Sequence, residues 1–126
     1  MKQMPPTQFI VHNGQQILLI DFSNISSTAD LIQTVEEAKK FVALHRPQSL
    51  LVLVDFTGMK IDRQKTKIIK GMAAHNNPYI RFIALVGFGS VRSIAFRVML
   101  LLSGKKNHMV FGSREFALDW LVAVVE

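Results

Sequence analysis

The chain has 126 residues, of which 49% are hydrophobic and 19% are charged, and its net charge is +6. This length and composition predict a single domain, residues 1–126, with a well-filled core, and they argue against intrinsic disorder. The chain has no cysteine, which excludes disulfides, thiolate metal sites and thiol nucleophiles.

The opening hairpin and the central strand have the clearest local signals. Apolar runs at residues 9–12 and 16–22 flank Asn13-Gly14, a pair typical of a two-residue type I′ turn. The unbroken apolar run at residues 50–54 predicts a strand that is buried on both faces, with the second hairpin strand beside it in the sheet.

A helix is predicted between the hairpin and the central strand. Ser26 or Ser27 can cap it, and Arg46-Pro47 is expected to end it. Its apolar residues recur at helical spacing and predict this buried stripe: Leu31, Ile32, Val35, Ala38, Phe41 and Val42.

The rest of the chain alternates between helix and strand. A second helix is expected from the N-cap Asp62 to about residue 75, and strands are expected at residues 79–87 and 108–111. Ser113 can cap a last helix, whose predicted apolar stripe consists of Phe116, Trp120 and Leu121.

A third helix is predicted at residues 91–102, between those two strands. It is apolar on most of its circumference, which indicates either deep burial or contact with a partner, a second subunit or lipid. A homodimer and a peripheral membrane contact therefore both stay open.

The element order β-β-α-β-α-β-α-β-α predicts an α/β fold. We expect a mixed sheet with an N-terminal antiparallel hairpin and later parallel strands, because crossover connections are right-handed. The helices are expected to pack on that sheet.

The charge is unevenly distributed. Residues 1–61 are neutral overall, whereas residues 62–106 carry nine basic side chains and one acidic side chain. This asymmetry favours an anionic partner such as a phosphate head group, a nucleic acid or an acidic protein. The alternative is a solvated basic face without a partner, because the charges lie on several elements. Few aromatic side chains lie near them for base stacking, which argues against nucleic acid.

The chain is expected to be cytoplasmic. Its first nine residues lack the apolar core of a signal peptide. No stretch approaches the roughly 18 uninterrupted apolar residues of a membrane span, so no transmembrane segment is predicted.

Three longer motifs follow the predicted elements: LLVLVDFTGMKID at residues 50–62, NPYIRFIALVGFGSVRS at residues 77–93 and FGSREFALDWL at residues 111–121. Together they resemble the STAS domain and the SpoIIAA-like (anti-sigma factor antagonist-like) proteins grouped with it. The resemblance covers nearly the whole chain. It implies a SpoIIAA-like α/β domain that binds proteins, nucleotides or lipids and has no catalytic machinery.

The resemblance departs from the family pattern at one point. In classical antagonists an aspartate after the central strand precedes a phosphorylatable serine and a glycine. The matching aspartate here is Asp62, and Arg63 follows it. This departure favours the stand-alone bacterial branch of the family, without the usual phosphorylation site.

The main candidate site follows the central strand, because ligands of open α/β sheets meet the carboxyl ends of the strands. We expect an anionic small ligand, such as a nucleotide or lipid head group, or a protein partner to bind there. The candidate residues are Asp55, Thr57, Gly58, Asp62, Arg63, Lys67 and Lys70.

An alternative site is the turn after the strand at residues 79–87. Backbone N–H groups at such a strand-to-helix turn can hold a phosphate, as in a small nucleotide-binding or hydrolytic α/β protein. A tight turn that requires small residues explains the same pattern. The candidate residues are Gly87, Gly89, Ser90 and Arg92.

No catalytic residue, metal or cofactor is expected. Asp55 and Asp62 alone offer too few oxygen ligands for Mg²⁺ or Ca²⁺, and turn formation and capping explain both. The four histidines have no ligand-spaced partners, and no serine lies in a nucleophile elbow.

Overall fold

The computed structural model describes residues 5–23, 25–88 and 107–125. They form a five-stranded mixed sheet with three helices packed on it, which confirms the predicted α/β fold. The elements are β1 (Thr7–His12), β2 (Gln15–Asp21), α1 (Thr28–Val42), β3 (Leu50–Asp55), α2 (Arg63–Asn76), β4 (Ile80–Val86), β5 (His108–Phe111) and α3 (Arg114–Ala123). The helix predicted at residues 91–102 lies outside the described ranges.

The strands lie side by side in chain order. β1 and β2 are antiparallel, and the turn between them has φ values of 49° at Asn13 and 82° at Gly14, as the predicted type I′ turn requires. β2, β3, β4 and β5 form successive parallel pairs. Because the three central strands run the same way, β2, β3 and β4 all end at one edge of the sheet, here called the carboxyl edge.

Each face of the sheet has its own hydrophobic core. Leu18 and Val52 face the core that is shared with α1 and α2, whereas Leu19 and Leu53 face the core that is shared with α3. All six residues of β3 are buried, which confirms it as the central strand. Among the helices described, none is long and apolar enough to cross a membrane.

α1 matches its prediction except at two points. Its N-cap is Ser27, whose hydroxyl accepts a hydrogen bond from the Asp30 amide. Ile32 is 46% exposed because it lies beside the buried stripe rather than within it, so its predicted burial is wrong. The helix ends at Val42, before the predicted stop at Arg46-Pro47. The His45 ring donates a hydrogen bond to the Phe41 carbonyl there, 3.0 Å away, and satisfies one of the last carbonyl groups.

α3 begins at its predicted cap but buries a different stripe. The Ser113 hydroxyl accepts a hydrogen bond from the Phe116 amide, 3.3 Å away. The buried side chains are Ala117, Leu121 and Val122, and Phe116 is 68% exposed, so the predicted stripe is wrong at its first residue. The small side chain of Ala117 forms the contact with the sheet in its place.

Two glycines give a matched test of this packing. Gly87 has φ +100°, and a Cβ atom there would lie 2.2 Å from the backbone nitrogen of Thr57. We expect Gly87→Ala to lower the free energy of unfolding by about 3 kcal/mol or more, because backbone atoms must move. Gly71 lies inside α2 with open space around it, so Gly71→Ala should raise stability by about 0.5–1 kcal/mol. Chemical denaturation measures both, and equal effects would contradict the close approach at Gly87.

Candidate functional site

Two aspartates lie side by side at the carboxyl edge. β2 and β3 each end in an aspartate, and their parallel register pairs Asp21 with Asp55. The following Phe22 and Phe56 are buried, with ring centroids 5.4 Å apart. The two phenylalanines belong to the core that is shared with α1 and α2, on the face of the sheet opposite α3.

Arg114 bridges the two carboxylates. It is the first residue of α3, and its Nε atom lies 2.5 Å from Oδ2 of Asp55, while one terminal guanidinium nitrogen lies 3.2 Å from Oδ2 of Asp21. The Asp55 side chain is only 5% exposed and that of Arg114 is 42% exposed. Asp21, Asp55 and Arg114, here called the anchor cluster, therefore tie the start of α3 to the ends of two strands.

The remaining carboxylate oxygens hold the loops that follow. Oδ1 of Asp21 accepts a hydrogen bond from the Ser23 amide at 2.9 Å. Oδ1 of Asp55 accepts from the Thr57 amide at 2.8 Å and from the Thr57 hydroxyl at 2.5 Å. Each carboxylate therefore binds Arg114 through one oxygen and its own loop through the other.

The anchor cluster shifts the ionisation of its members. Burial alone would raise the pKa of Asp55, but the two hydrogen bonds from Thr57 and the contact with Arg114 outweigh it and leave the pKa below its ordinary value. Burial would lower the pKa of Arg114, but Asp55 and Asp21 outweigh that effect and raise it. Both partners are therefore charged at neutral pH.

An open groove of about 430 Å³ lies between the loops that follow β2 and β3. Gly58 borders it with φ +78°, and an exposed lysine, Lys60, lies beside Gly58. This surface, here called the edge groove, is lined by Ser23, Ile25, Ser26, Gly58, Lys60 and Lys65. Its polar lining consists of hydroxyl and ammonium groups, which suits an anion.

The start of α2 forms one side of the edge groove. Asp62 caps the helix by accepting a hydrogen bond from the Lys65 amide at 2.8 Å, as predicted. The Lys65 ammonium lies 2.9 Å from the other Asp62 oxygen. The hydrogen bond from the Lys65 amide, with the Lys65 ammonium next, lowers the pKa of Asp62. Asp62 is therefore engaged within the protein.

The other predicted site residues fall into two groups. Thr57 and Gly58 are exposed near the edge groove, whereas Asp55 lies buried beneath them in the anchor cluster. The exposed side of α2 carries three basic residues at helical spacing, here called the basic helix face: Arg63, Lys67 and Lys70. In the parts of the chain that the structure describes, no carboxylate lies within 4.0 Å of their charged groups.

The alternative site is only partly described. Gly87 lies so close to the backbone of Thr57 that a side chain would not fit, which gives this glycine a structural role. Gly89, Ser90 and Arg92 lie outside the described residues.

Sequence reasoning missed two members of the anchor cluster, Asp21 and Arg114, and every residue of the edge groove except Gly58. One signal for Asp21 was available, since Ile20-Asp21-Phe22 repeats the pattern of Val54-Asp55-Phe56 at the ends of two strands that were predicted to be neighbours. Arg114 had no comparable signal, because it is 59 residues away from Asp55 in the chain. The groove residues Ser23, Ile25, Lys60 and Lys65 come together only when the two loops fold beside each other.

No group of three or more His, Asp or Glu side chains within the described ranges could hold a metal ion. A small space of about 20 Å³ between α2 and the sheet is lined by apolar side chains and Asn76, and it has room for about one water molecule.

Comparisons of the chain with protein-family models, with curated proteins and with solved structures find no match.

The lowered pKa of Asp55 predicts acid sensitivity. An unfolded aspartate has a pKa of about 3.9, so Asp55 binds its proton more weakly in the folded chain. The stability that ionised Asp55 contributes is fully present above the unfolded-state pKa. It is lost as the pH falls through the lower pKa of the folded state. We expect Asp55→Asn to be about 1–3 kcal/mol less stable at pH 7, with the difference from wild type shrinking in acid.

Denaturation at a series of pH values measures this effect. Asp30→Asn, which removes an exposed carboxylate of α1, serves as the control. If the difference in free energy of unfolding between wild type and Asp55→Asn stays constant from pH 7 to pH 2, the lowered pKa of Asp55 is contradicted.

Proposed function

We propose that the chain is a non-enzymatic binding domain of the STAS, SpoIIAA-like type that recognises an anionic small ligand or a protein partner. Its binding surface consists of the edge groove and the basic helix face. The proposal depends chiefly on one observation, that two serines and two lysines line an open groove at the carboxyl edge, where α2 begins. Further cations lie on the exposed side of that helix.

The electrostatics of this surface support an anionic ligand. Lys60 and the basic helix face carry four positive charges, and none of them pairs with a carboxylate in the described ranges. α1 and α2 both begin next to the groove, and the amino end of a helix carries partial positive charge. Attraction over such a surface raises the local concentration and the association rate of an anion.

The groove lining suits phosphate oxygens. The hydroxyl groups of Ser23 and Ser26 can donate hydrogen bonds, and Gly58 has no side chain to block the approach of a ligand to the backbone. Ile25 adds an apolar contact for the less polar part of a ligand or for a partner side chain. This combination is typical of binding sites that contain a few placed polar groups.

The carboxylates next to the groove support a role without catalysis. Asp55 uses both oxygens on Arg114 and Thr57, and Asp62 binds Lys65. A general base must be free to take a proton from its substrate. Neither carboxylate meets that condition.

Charge reversal on the basic helix face tests the proposal. We expect Lys67→Glu combined with Lys70→Glu to abolish ATP binding, or to weaken it at least about tenfold, because each reversal replaces attraction by repulsion. Isothermal titration calorimetry at low salt measures the affinity, and circular dichroism checks the fold.

The matched control reverses two exposed cations elsewhere. Lys40 lies on α1 and Arg46 lies in the loop that follows it, so Lys40→Glu combined with Arg46→Glu changes the net charge equally without touching the proposed surface. Wild-type affinity in the α2 variant, or equal losses in both variants, would count against the basic helix face.

A further inference from the structure

Arg114 connects to both walls of the edge groove. From its guanidinium one path runs through Asp21 to the Ser23 amide, and another runs through Asp55 to Thr57, next to Gly58. We propose that Arg114 is a positioning residue for the groove, which sets the separation of the two loops without contacting the ligand. This inference deepens the proposed function and rests on it.

Backbone hydrogen bonds stop short of the groove. The last one between the two segments runs from the Phe22 amide to the Asp55 carbonyl at 2.8 Å. Beyond that point each loop bonds within itself, Ile25 to Phe22 and Met59 to Phe56. In the described ranges no other backbone hydrogen bond joins the loops. The anchor cluster is therefore the polar link that determines how far apart they lie.

The geometry of the guanidinium suits this task. Neighbouring strands are about 4.8 Å apart, and a planar guanidinium presents several N–H groups in a fixed fork. Arg114 uses two of its nitrogens, one for each strand. A lysine ammonium is a single point charge, so it cannot hold both carboxylates in one fixed arrangement.

The position of Arg114 in its own helix favours a role outside the helix. It is the first residue of α3, where a cation is unfavourable to the helix dipole. The two loops also lie close together, since a Cβ added to Gly58 would lie 3.8 Å from the Ser23 carbonyl oxygen. A small change in loop separation would therefore alter the groove.

The test compares Arg114→Gln with a control that loosens α3 elsewhere. In α3, Asp119 also contacts the sheet, through the His12 ring at 2.7 Å, so Asp119→Asn removes a different polar tie of the same helix. Amide hydrogen exchange by NMR reports on the Ser23 and Thr57 amides in the free proteins, and calorimetry measures ATP affinity.

We expect Arg114→Gln to speed exchange at both amides about tenfold or more and to weaken ATP binding by a similar factor. Asp119→Asn should leave both readouts at wild-type values. Unchanged exchange in Arg114→Gln would overturn the inference, and so would faster exchange with unchanged affinity. The same loss of affinity in Asp119→Asn would also overturn it, because the effect would then come from general loosening of α3.

Two other results can still be interpreted: Arg114→Gln does not fold, or the wild-type protein does not bind ATP. If Arg114→Gln does not fold, Arg114→Lys is measured in its place. Faster amide hydrogen exchange in at least one of the two loops then supports the inference. If wild-type protein does not bind ATP, the anion-binding form of the proposed function fails. The exchange data then still decide whether Arg114 holds the loops, because that measurement needs no ligand.

Discussion

The structure of the carboxyl edge depends on one constraint: the negative charges of two neighbouring carboxylates must be neutralised. Asp21 and Asp55 end adjacent parallel strands, and Asp55 is almost fully buried. Two neighbouring like charges would repel each other, and one of the carboxylates would tend to take up a proton. Arg114 offsets this repulsion because its guanidinium contacts both carboxylates. The same contacts fix the start of α3 relative to the sheet.

The anchor cluster also joins the two faces of the sheet. α3 covers one face and supplies Arg114, whereas α1 and α2 cover the other face and flank the edge groove. The loops after β2 and β3 run between these layers. They are held from the α3 side through Asp21 and Asp55 and are open toward the α1 and α2 side. A rigid support beneath an open polar groove is what a preorganised binding site requires.

Local signals predicted most of the fold. The Asn13-Gly14 turn, the caps Asp62 and Ser113 and the apolar run of β3 each depend on a few adjacent residues, and all four are confirmed. The site was less predictable because its contacts are long-range. The pairing of Asp55 with Arg114 spans 59 residues, and helical periodicity placed Phe116 in the core, although Ala117 takes that position.

An amide NMR titration tests the location of binding most directly. The free protein would be titrated with ATP, and shift changes would be mapped onto the sequence. We expect changes clustered in the loops after β2 and β3 and along the start of α2, residues 23–26 and 57–70. Changes confined to residues 87–92 would place the ligand at the other turn and contradict this expectation. No change at all would contradict an anion site and leave a protein as the partner to test.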